Sequence, residues 1–308
     1  MAAKVFIDGE AGTTGLIIRD MLGARADIEL VSIDPAKRKD NDAKKTLLAS
    51  VDVAVLCLPD EAAKAAVALM DEMGDAAPRV LDASSAHRVA PGWVYGFPEL
   101  ADGQADRIAT ANRVANPGCY ATGAISLLRP LVDAQLLPPD FPVTINAVSG
   151  YSGGGKAMIA AYESRTAPDF ELYALGLEHK HMAEIQHYSR LERRAIFVPS
   201  VADFRQGMLV SIPLHLDFLS GVTNGAEIEE ALAAHYGEGG FVSVIRSGDL
   251  ARESGKIEPQ GLNNTNQMEL RVIANDERRQ AVLIARLDNL GKGASGAAVQ
   301  NLELMLGL

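Results

Sequence analysis

The sequence predicts an α/β protein, in which a doubly wound parallel sheet is followed by a second domain of mixed α+β structure. Three observations lead to this prediction. Short apolar runs alternate with helical runs early in the chain, a glycine-rich turn joins the first strand to the first helix, and alternating or β-branched strands dominate after Cys119. Strands separated by helices connect by right-handed crossovers, which build a parallel sheet.

The first strand, turn and helix are the clearest of these elements. Lys4 to Asp8 is a short apolar run typical of a buried strand, residues 9–15 form a tight turn, and Leu16 to Leu22 continues as an apolar helix. The elements predicted next are strands over 28–33, 51–58 and 79–82 and an alanine-rich helix over 61–73.

The second part of the chain has a different pattern. Val143 to Val148 alternates like a strand and runs into a glycine-rich bend from Ser149 to Lys156, and Ser295 to Leu306 has the apolar spacing of a closing helix. Further strands are predicted over 197–199, 208–216, 268–274 and 281–288. We expect a nucleotide-binding domain over 1–118, a catalytic and oligomerisation domain over 119–287, and a C-terminal helical segment over 288–308 that packs on the first domain.

Composition and charge exclude several classes of protein. The 308 residues are 48% hydrophobic and 22% charged, as in ordinary globular proteins, and carry a net charge of -11. That charge argues against nucleic acid and anionic membranes as partners, because both select basic patches. No apolar run approaches the roughly 18 residues of a membrane span, and no signal peptide is evident, so we expect a cytoplasmic protein.

The turn after the first strand has the spacing of a dinucleotide-binding loop. Gly9, Gly12 and Gly15 give G-x-x-G-x-x-G, a variant of the Rossmann fingerprint, and Thr13 and Thr14 open the helix behind it. Glycine at these positions lets the backbone approach a pyrophosphate at the helix N-terminus. A plain strand-to-helix turn is the alternative interpretation.

Two features after the second strand point to different dinucleotides. Asp34 lies where an acid would hold the ribose 2′-hydroxyl of NAD, whereas Lys37 and Arg38, followed by Lys39, can hold the 2′-phosphate of NADP. The basic run favours NADP(H), although it can also be a solvated loop. Ser84 and Ser85 follow a predicted strand, where a doubly wound sheet places its ligand crevice.

Cys119 is the candidate nucleophile. It directly follows the Pro117-Gly118 turn and opens a helix-like run to Leu128, where free backbone N–H groups and the helix dipole favour the thiolate. A small buried core residue is the alternative, and it is our interpretation of Cys57, which lies inside an apolar strand. Two cysteines in this chain do not indicate a disulfide framework.

A histidine cluster supplies a candidate acid/base group. His179, His181 and Glu184 lie within one short segment, and on a helix His181 and Glu184 would share a face. A zinc site is disfavoured, because the histidines are spaced i, i+2 and no cysteine cluster is near, so we predict no metal. General acid/base work by one of the histidines, oriented by Glu184, is the favoured interpretation.

Several motifs together resemble a known enzyme family. The sequence resembles the N-acetyl-gamma-glutamyl-phosphate reductases of arginine biosynthesis nearly from end to end, and most specifically in N-P-G-C-Y and in the K-G-A-x-G-x-A-V-Q-N signature from Lys292 to Asn301. The other matching stretches are Gly9 to Gly15, Leu81 to Arg88, Tyr95 to Glu99, His179 to Ile185 and Asp288 to Gly291. Departures at Glu10, Thr13, residues 84–88 and Ser200 indicate a shorter branch of the family.

The resemblance implies a fold of the semialdehyde-dehydrogenase type and a covalent mechanism. Cys119 would attack an acyl phosphate, phosphate would leave, and NADPH would reduce the resulting thioester to an aldehyde. His179 with Glu184 is the first choice for the proton transfer, with His181 as the alternative. The family also suggests a homo-oligomer, either dimer or tetramer.

The expected substrate is a small acyl phosphate with several negative charges, so cations and polar groups near the motifs are candidate contacts. The candidate substrate-binding residues are Arg88, Asn116, Ser149, Gly150, Lys156, Arg205 and Lys292. Gly153 and Gly154 lie in a glycine-rich bend suited to a phosphate nest and count as cofactor-binding candidates. Asn289 is expected at the nicotinamide carboxamide, a role that comes from the resemblance.

Two alternatives remain open at this level. One is a sister enzyme that acts on aspartyl or aminoadipyl phosphate, since no signature for the N-acetyl pocket can be derived from the residues. The other is a non-catalytic NADP-binding sensor, which would have no reason to carry Cys119 and the histidine cluster together.

Overall fold

The computed structural model describes residues 2–38, 40–247 and 255–308, so Lys39 of the basic run lies outside the described residues. The chain forms two compact units. The first comprises residues 1–98, 102–117 and 294–308, and the second comprises residues 99–101 and 118–293. Among the described residues, none of the helices combines the length and the apolar character that crossing a bilayer demands.

Strands and α-helices follow one another along both units. In chain order the strands are β1 (Ala3–Asp8), β2 (Ile28–Val31), β3 (Val53–Leu56), β4 (Arg79–Asp82), β5 (Val94–Tyr95), β6 (Arg113–Ala115), β7 (Thr144–Gly150), β8 (Phe170–Leu172), β9 (Ile196–Ala202), β10 (Met208–His215), β11 (Val242–Ile245), β12 (Met268–Asn275) and β13 (Gln280–Leu287). The described helices are α1 (Thr13–Gly23), α2 (Asn41–Leu48), α3 (Asp60–Asp71), α4 (Gln104–Thr110), α5 (Cys119–Asp133), α6 (Gly155–Glu163), α7 (Met182–Tyr188), α8 (Gly225–Tyr236) and α9 (Gly296–Leu306).

The first unit is built on a parallel sheet with the strand order β2-β1-β3-β4-β6-β5. Every residue of β3 is buried, which explains its uninterrupted apolar sequence. One hydrophobic cluster includes residues of α1 and α9, and another includes residues of α3, so apolar helix faces cover the sheet. Helix α9 contacts α1, α4 and β4, which confirms that the last helix packs on the nucleotide-binding unit.

The second unit is built on a mixed sheet with the strand order β11-β12-β13-β10-β7-β9-β8. Strand β10 pairs antiparallel with β13 and β7, whereas β7 pairs parallel with β9. Helices α5 and α8 pack on this sheet, and residues 120–132 of α5 are all buried. A helix that is buried on every side needs neighbours all round, and the sheet and the helices α7 and α8 provide them.

The predicted fold class is confirmed by this arrangement. The differences concern strand ends and elements that the sequence did not reveal. The second strand ends at Val31 rather than at Ile33, and the unpredicted elements are β5, β6, β8, β11, α2, α4, α6 and α8. Strands β5 and β6 contain two and three residues, too few for a periodic pattern to be visible in the sequence.

Candidate active site

Cys119 is the first residue of α5, as the sequence predicted. Gly118 before it is extended, with φ of -82° and ψ of 148°, and accepts the first intrahelical hydrogen bond from the Thr122 N–H at 2.8 Å. The thiol is half-buried and lies at the positive end of the helix dipole. This environment favours the thiolate, which is the nucleophilic form of cysteine.

Glu184 connects the histidine segment to this turn. Its side chain is 1% exposed, and its Oε2 accepts a hydrogen bond from the Gly118 N–H at 3.1 Å. The sequence predicted that Glu184 acts near Cys119 through a histidine. The hydrogen bond to the backbone directly before Cys119 is an additional role that residue spacing does not reveal.

His179 and His181 lie side by side. The centres of their rings are 4.6 Å apart, and the ring planes are inclined at 82°. The backbone N–H of His181 donates a hydrogen bond to His179 Nδ1 at 3.1 Å. Because Nδ1 of His179 accepts this bond, a neutral His179 ring carries its proton on Nε2. His181 is buried and forms the N-cap of α7, whereas His179 lies in the loop before it and is half-buried. The structure therefore fixes the tautomer of His179, the residue preferred by sequence.

Two tyrosines complete this cluster. The ring of Tyr120, the residue after Cys119, lies 5.7 Å from the ring of His179 and 6.0 Å from that of His181. The Tyr173 hydroxyl donates to Tyr120 Oη at 3.1 Å. Burial raises the pKa of both phenols well above the usual range, and the negative charge of the Cys119 thiolate raises them further, so both stay protonated. Sequence reasoning missed Tyr173, which no motif surrounds.

Gly293 of the K-G-A signature lies against the nucleophile. A Cβ atom at position 293 would be 2.8 Å from the Cys119 Cβ, closer than real Cβ contacts. Gly293 also donates its N–H to the Asp288 carbonyl at 2.9 Å. The signature therefore needs glycine here because its backbone packs directly on Cys119.

Lys292, which the sequence predicts as a substrate contact, lies in a buried ion pair. Its ammonium donates to both oxygens of Glu99, at 2.7 and 2.8 Å, and its side chain is 1% exposed. Burial lowers the pKa of Lys292, against the opposing effect of Glu99. The charge of the Lys292 ammonium is therefore balanced within the second unit by the Glu99 carboxylate.

The glycine-rich bend is held by Asn289. The Asn289 amide donates to Ser152 Oγ at 2.9 Å, and its Oδ1 accepts from the Gly207 N–H at 2.8 Å. Ser149 and Gly150 are buried at the start of the bend, whereas Gly153 and Gly154 are exposed. Asn289 thus bonds to the bend that carries five of the predicted contact residues, Ser149, Gly150, Gly153, Gly154 and Lys156.

The two remaining positively charged candidates for substrate binding in this unit, Lys156 and Arg205, are exposed. Lys156 lies on the surface of α6. Arg205 donates to Glu163 at 3.0 Å with 62% of its side chain exposed, so it forms a surface ion pair. None of the hydrogen bonds or ion pairs described for Lys156 and Arg205 joins them to the histidine cluster.

In the first unit, the glycine loop has the geometry of a nucleotide cradle. Gly9 has φ of +91°, and a Cβ there would lie 2.3 Å from the Cys57 carbonyl oxygen. Gly12 is the N-cap of α1 without a side-chain cap, so the N–H groups of Thr13, Thr14 and Gly15 are the first of the helix. Because no side chain fills the turn, the loop fits a pyrophosphate at this helix end.

Two of the three residues expected at the ribose, Asp34 and Arg38, hydrogen-bond to other groups of the chain. Asp34 is exposed and caps the turn after β2, accepting from the Ala36 N–H at 2.9 Å. Lys37 is also exposed. Arg38 instead reaches back to the glycine loop and donates to Glu10 at 3.1 Å. Sequence reasoning noted Glu10 only as a departure from the family, and that departure was the available signal.

The loop after β4 is held by two carboxylates, the buried Asp82 and the exposed Asp60. Asp82 accepts from the Ser84 N–H and hydroxyl at 2.9 and 2.7 Å and lies 2.6 Å from His87 Nδ1. The Ser85 hydroxyl donates to Asp60. His87 stacks on Trp93 with 4.3 Å between the rings. No partner for His87 was visible in the sequence, and the structure provides two.

Arg88 and Asn116 are linked in the same unit. Arg88 is buried and donates through Nε to the Asn116 carbonyl at 3.0 Å. The Asn116 amide donates to the Ala294 carbonyl at 3.0 Å, and its Oδ1 accepts from Asn301 at 3.0 Å. Within the first unit, the family motif residue Asn116 is therefore bonded both to Ala294 before the last helix and to Asn301 within it.

Alkylation is expected to distinguish the two cysteines. Burial raises the pKa of Cys57 to about 12, with Asp82 and Asp8 adding to the effect, so little thiolate exists there at neutral pH. Iodoacetamide should therefore modify Cys119 first, and activity should fall in step with that modification. Peptide mass spectrometry of partly inactivated enzyme measures both sites. Equal labelling of Cys57 and Cys119 would contradict the assignment.

Comparison with protein families defines the class of protein. A family model described as the semialdehyde dehydrogenase NAD binding domain matches residues 11–109, and one described as the semialdehyde dehydrogenase dimerisation domain matches residues 119–289. The second match alone covers more than half of the chain. The fold and the cysteine site thus belong to the semialdehyde dehydrogenase class.

Similar curated proteins show to which family within this class the chain belongs. Proteins named N-acetyl-gamma-glutamyl-phosphate reductase are 54% identical in a Chelativorans species, over 99% of both chains, and 52% identical in Trichormus variabilis, over 99% of this chain and 97% of the relative. A protein of the same name from Brucella ovis is 51% identical over the full length of both. The chain belongs to the N-acetyl-gamma-glutamyl-phosphate reductase family.

Solved structures support the fold. Aspartate semialdehyde dehydrogenase II from Vibrio cholerae, in complex with ASA, matches with a TM-score of 0.73 at 16% identity, over 100% of this chain and 99% of that one. The enzyme from Candida albicans, solved with NADP, matches with a TM-score of 0.66 at 12% identity, over 99% of both chains.

Proposed function

We propose that this chain reduces N-acetyl-glutamyl 5-phosphate to N-acetyl-glutamate 5-semialdehyde with NADPH and releases phosphate, through a thioester on Cys119. The observation that carries the proposal is the geometry around the nucleophile. Cys119 opens a fully packed helix, Glu184 binds the N–H directly before it, and the two histidines contact the tyrosine directly after it. Family membership supports the same reaction.

The first half of the reaction is the work of the thiol. The Cys119 thiolate forms a bond to the acyl carbon, and the bond from that carbon to the phosphate oxygen breaks, so inorganic phosphate leaves with the electron pair. The N-terminus of α5 stabilises the thiolate before the attack. Because α5 is buried along its length, the nucleophile is held in a fixed position, which is needed for efficient attack.

The second half needs a proton donor. Reduction of the thioester carbonyl would leave a negatively charged oxygen, which takes a proton from the site. When the carbon–sulfur bond breaks, the aldehyde leaves, the proton returns to the site and the Cys119 thiolate forms again. We assign this transfer to His179. Its Nδ1 accepts a hydrogen bond from the backbone N–H of His181, so Nε2 is the nitrogen that carries the proton. His181 remains the alternative, and Glu184 positions the segment. Such transfers contribute roughly 10²–10⁴-fold to a rate.

The first unit fits NADP(H). The turn at Gly9 has no room for a side chain, the first N–H groups of α1 belong to Thr13, Thr14 and Gly15, and a cavity of about 250 Å3 includes Gly9, Gly12 and Arg38 in its wall. When bound, the reduced nicotinamide supplies hydride. The further residues that we assign to cofactor binding are Asp34, Lys37, Ser84, Ser85, Gly153, Gly154 and Asn289.

The substrate contacts are assigned from the remaining polar groups. We retain Arg88, Asn116, Ser149, Gly150, Lys156 and Arg205, and we leave Lys292 out because of its buried pair with Glu99. In domain terms, we propose nucleotide binding by residues 1–118 together with the segment 288–308, and catalysis by residues 119–287.

We also propose a homo-oligomer in the cytoplasm. The family description of residues 119–289 as a dimerisation domain supports self-association. An apolar cavity of about 880 Å3 on the second sheet, lined among others by Leu209, Val282 and Ile284, offers a suitable surface. A reducing compartment would keep Cys119 as a free thiol.

Oxidation of the aldehyde in the reverse direction tests the function. With NADP+ and phosphate, N-acetylglutamate semialdehyde should be turned over, and aspartate semialdehyde should react with kcat/KM lower by about 100-fold or more, because polar groups matched to the acetamide would be left unpaired. Nicotinamide absorbance follows the reaction. Arsenate should replace phosphate, and omission of both should stop turnover. Preference for aspartate semialdehyde would favour the sister activity, and no turnover of either aldehyde would refute the enzyme.

A further inference from the structure

We infer that Glu10 is a specificity-determining residue that limits the preference of this chain for NADP(H) over NAD(H). The Glu10 carboxylate forms an ion pair with Arg38, the arginine that would bind the 2′-phosphate. NADP(H) must therefore displace the carboxylate from Arg38. This inference rests on the proposed function, because it concerns the same dinucleotide site.

Glu10 lies at the centre of a polar cluster, which we call the Glu10 cluster and define as Glu10, Arg19, Ser32 and Arg38. Arg38 Nη2 lies 3.1 Å from Glu10 Oε1, and Arg19 Nη1 lies 3.5 Å from Oε2. The Ser32 hydroxyl donates to Oε2 at 3.0 Å. The Glu10 side chain is only 17% exposed, whereas the two arginines are 46% and 53% exposed. Glu10 is thus the more buried residue of each ion pair, and the two arginines are the solvent-exposed partners.

The cluster lies at the position of the adenosine ribose. Glu10 directly follows the first glycine of the loop, Ser32 directly follows β2, and Glu10 and Arg38 both line the cavity of about 250 Å3 at this edge of the sheet. In sheets of this kind, the residues at the end of the second strand contact the ribose hydroxyls or the 2′-phosphate. Asp8 also lines this cavity but pairs with Lys44 at 2.9 Å, and Asp34 caps its own turn, so Glu10 is the lining acid that pairs with Arg38.

The charge of Glu10 has opposite consequences for the two dinucleotides. A 2′-phosphate carries close to two negative charges near neutral pH, and it would compete with Glu10 for Arg38 while being repelled by the carboxylate. NAD(H) presents a 2′-hydroxyl instead, which can donate to a carboxylate as it does in other sheets of this type. Glu10 therefore weakens NADP(H) binding and leaves NAD(H) binding unchanged or improved.

Direct binding of the reduced cofactors tests this inference. Kd values for NADPH and NADH are measured by nicotinamide fluorescence for the wild-type chain and for Glu10→Gln, which keeps the shape of the side chain and removes its charge. We expect NADPH to bind roughly tenfold more tightly to the variant, as one exchanged ion pair and one relieved repulsion predict, with NADH unchanged or weaker.

Two further variants separate charge from shape. Glu10→Asp keeps the charge, so its NADPH Kd should stay within about threefold of wild type. Glu72→Gln makes the same change in net charge within the same unit, at an exposed pair with Lys45 at 2.8 Å, and should leave both Kd values within about twofold. If Glu10→Gln does not fold, Glu10→Ser removes the same charge and carries the same expectation.

The possible outcomes are distinct. A tighter NADPH complex in Glu10→Gln alone supports the inference. Equal changes for NADPH and NADH, or an equal gain in Glu10→Asp, would overturn it in favour of a purely structural role in the loop. If the wild-type chain binds neither dinucleotide, the proposed function fails as well, whereas wild-type binding with an unchanged ratio in the variant refutes only the role of Glu10.

Discussion

Cys119→Ser is expected to lower kcat/KM by about 10⁴-fold or more while the Kd for NADPH stays within a few-fold of wild type. A serine hydroxyl at the start of α5 is not ionised near neutral pH, and it would form an ester that is much harder to reduce than a thioester. Steady-state assays give the rate, and nicotinamide fluorescence gives the cofactor affinity. The two measurements together separate chemistry from binding.

Cys57→Ser is the matched control for this substitution. Cys57 lies in the wall of the nucleotide cavity and is not expected to take part in the chemistry, so the variant should keep kcat within a few-fold. Mass spectrometry of enzyme mixed with acyl phosphate, without NADPH, should detect an acyl adduct on Cys119 in the wild type and none in Cys119→Ser. Substantial turnover by Cys119→Ser would exclude covalent catalysis.

Lys292→Met is expected to lower the free energy of unfolding by about 3 kcal/mol. The substitution keeps much of the side-chain volume but removes the cation, so Glu99 keeps its charge in a site where its side chain is only 17% exposed. Burial already lowers the pKa of Lys292, which indicates that the pair exists at a cost in desolvation. Removing one partner of such a pair is more damaging than removing both. Urea unfolding followed by circular dichroism measures the change.

Two variants serve as controls for Lys292→Met. Lys64→Met breaks the pair between Lys64 and Glu61, whose side chains are 54% and 87% exposed, and should cost at most about 0.5 kcal/mol. Adding Glu99→Leu to Lys292→Met should recover part of the lost stability, because no buried charge is then left alone. Unchanged stability combined with a raised KM for the acyl phosphate would instead return Lys292 to the substrate site.

The sequence was sufficient for the parts of the structure that depend on neighbouring residues. The parallel sheet, the glycine turn and the start of α5 at Cys119 all follow from local periodicity, glycine spacing and the Pro-Gly turn. The grouping of Cys119 with the segment from His179 to Glu184 was also predicted, but through the resemblance to a family rather than through spacing. The local sequence pattern therefore predicts that the nucleophile lies at the start of a helix, whereas the residues that act with it are identified by comparison with a known family.

Contacts across long sequence separations could not be predicted. Lys292 and Glu99 are 193 residues apart, and the bond from Gly118 to Glu184 spans 66 residues. Arg38 was expected to be available for a phosphate, but its partner Glu10 lies 28 residues earlier in the glycine loop. In each case the charge was visible in the sequence, while the partner was set by the way strands and helices bring distant segments together.

The hydrogen bond from Gly118 to Glu184 has a consequence for how a negative oxygen can be accommodated during the attack. When a thiolate adds to an acyl carbon, the carbonyl oxygen gains charge and needs hydrogen-bond donors close by. The Gly118 N–H is the backbone donor directly before the nucleophile, but it is already directed at a buried carboxylate. The donors for that oxygen must therefore come from elsewhere than this amide, and the carboxylate makes the side of the turn on which it lies unfavourable for an anion.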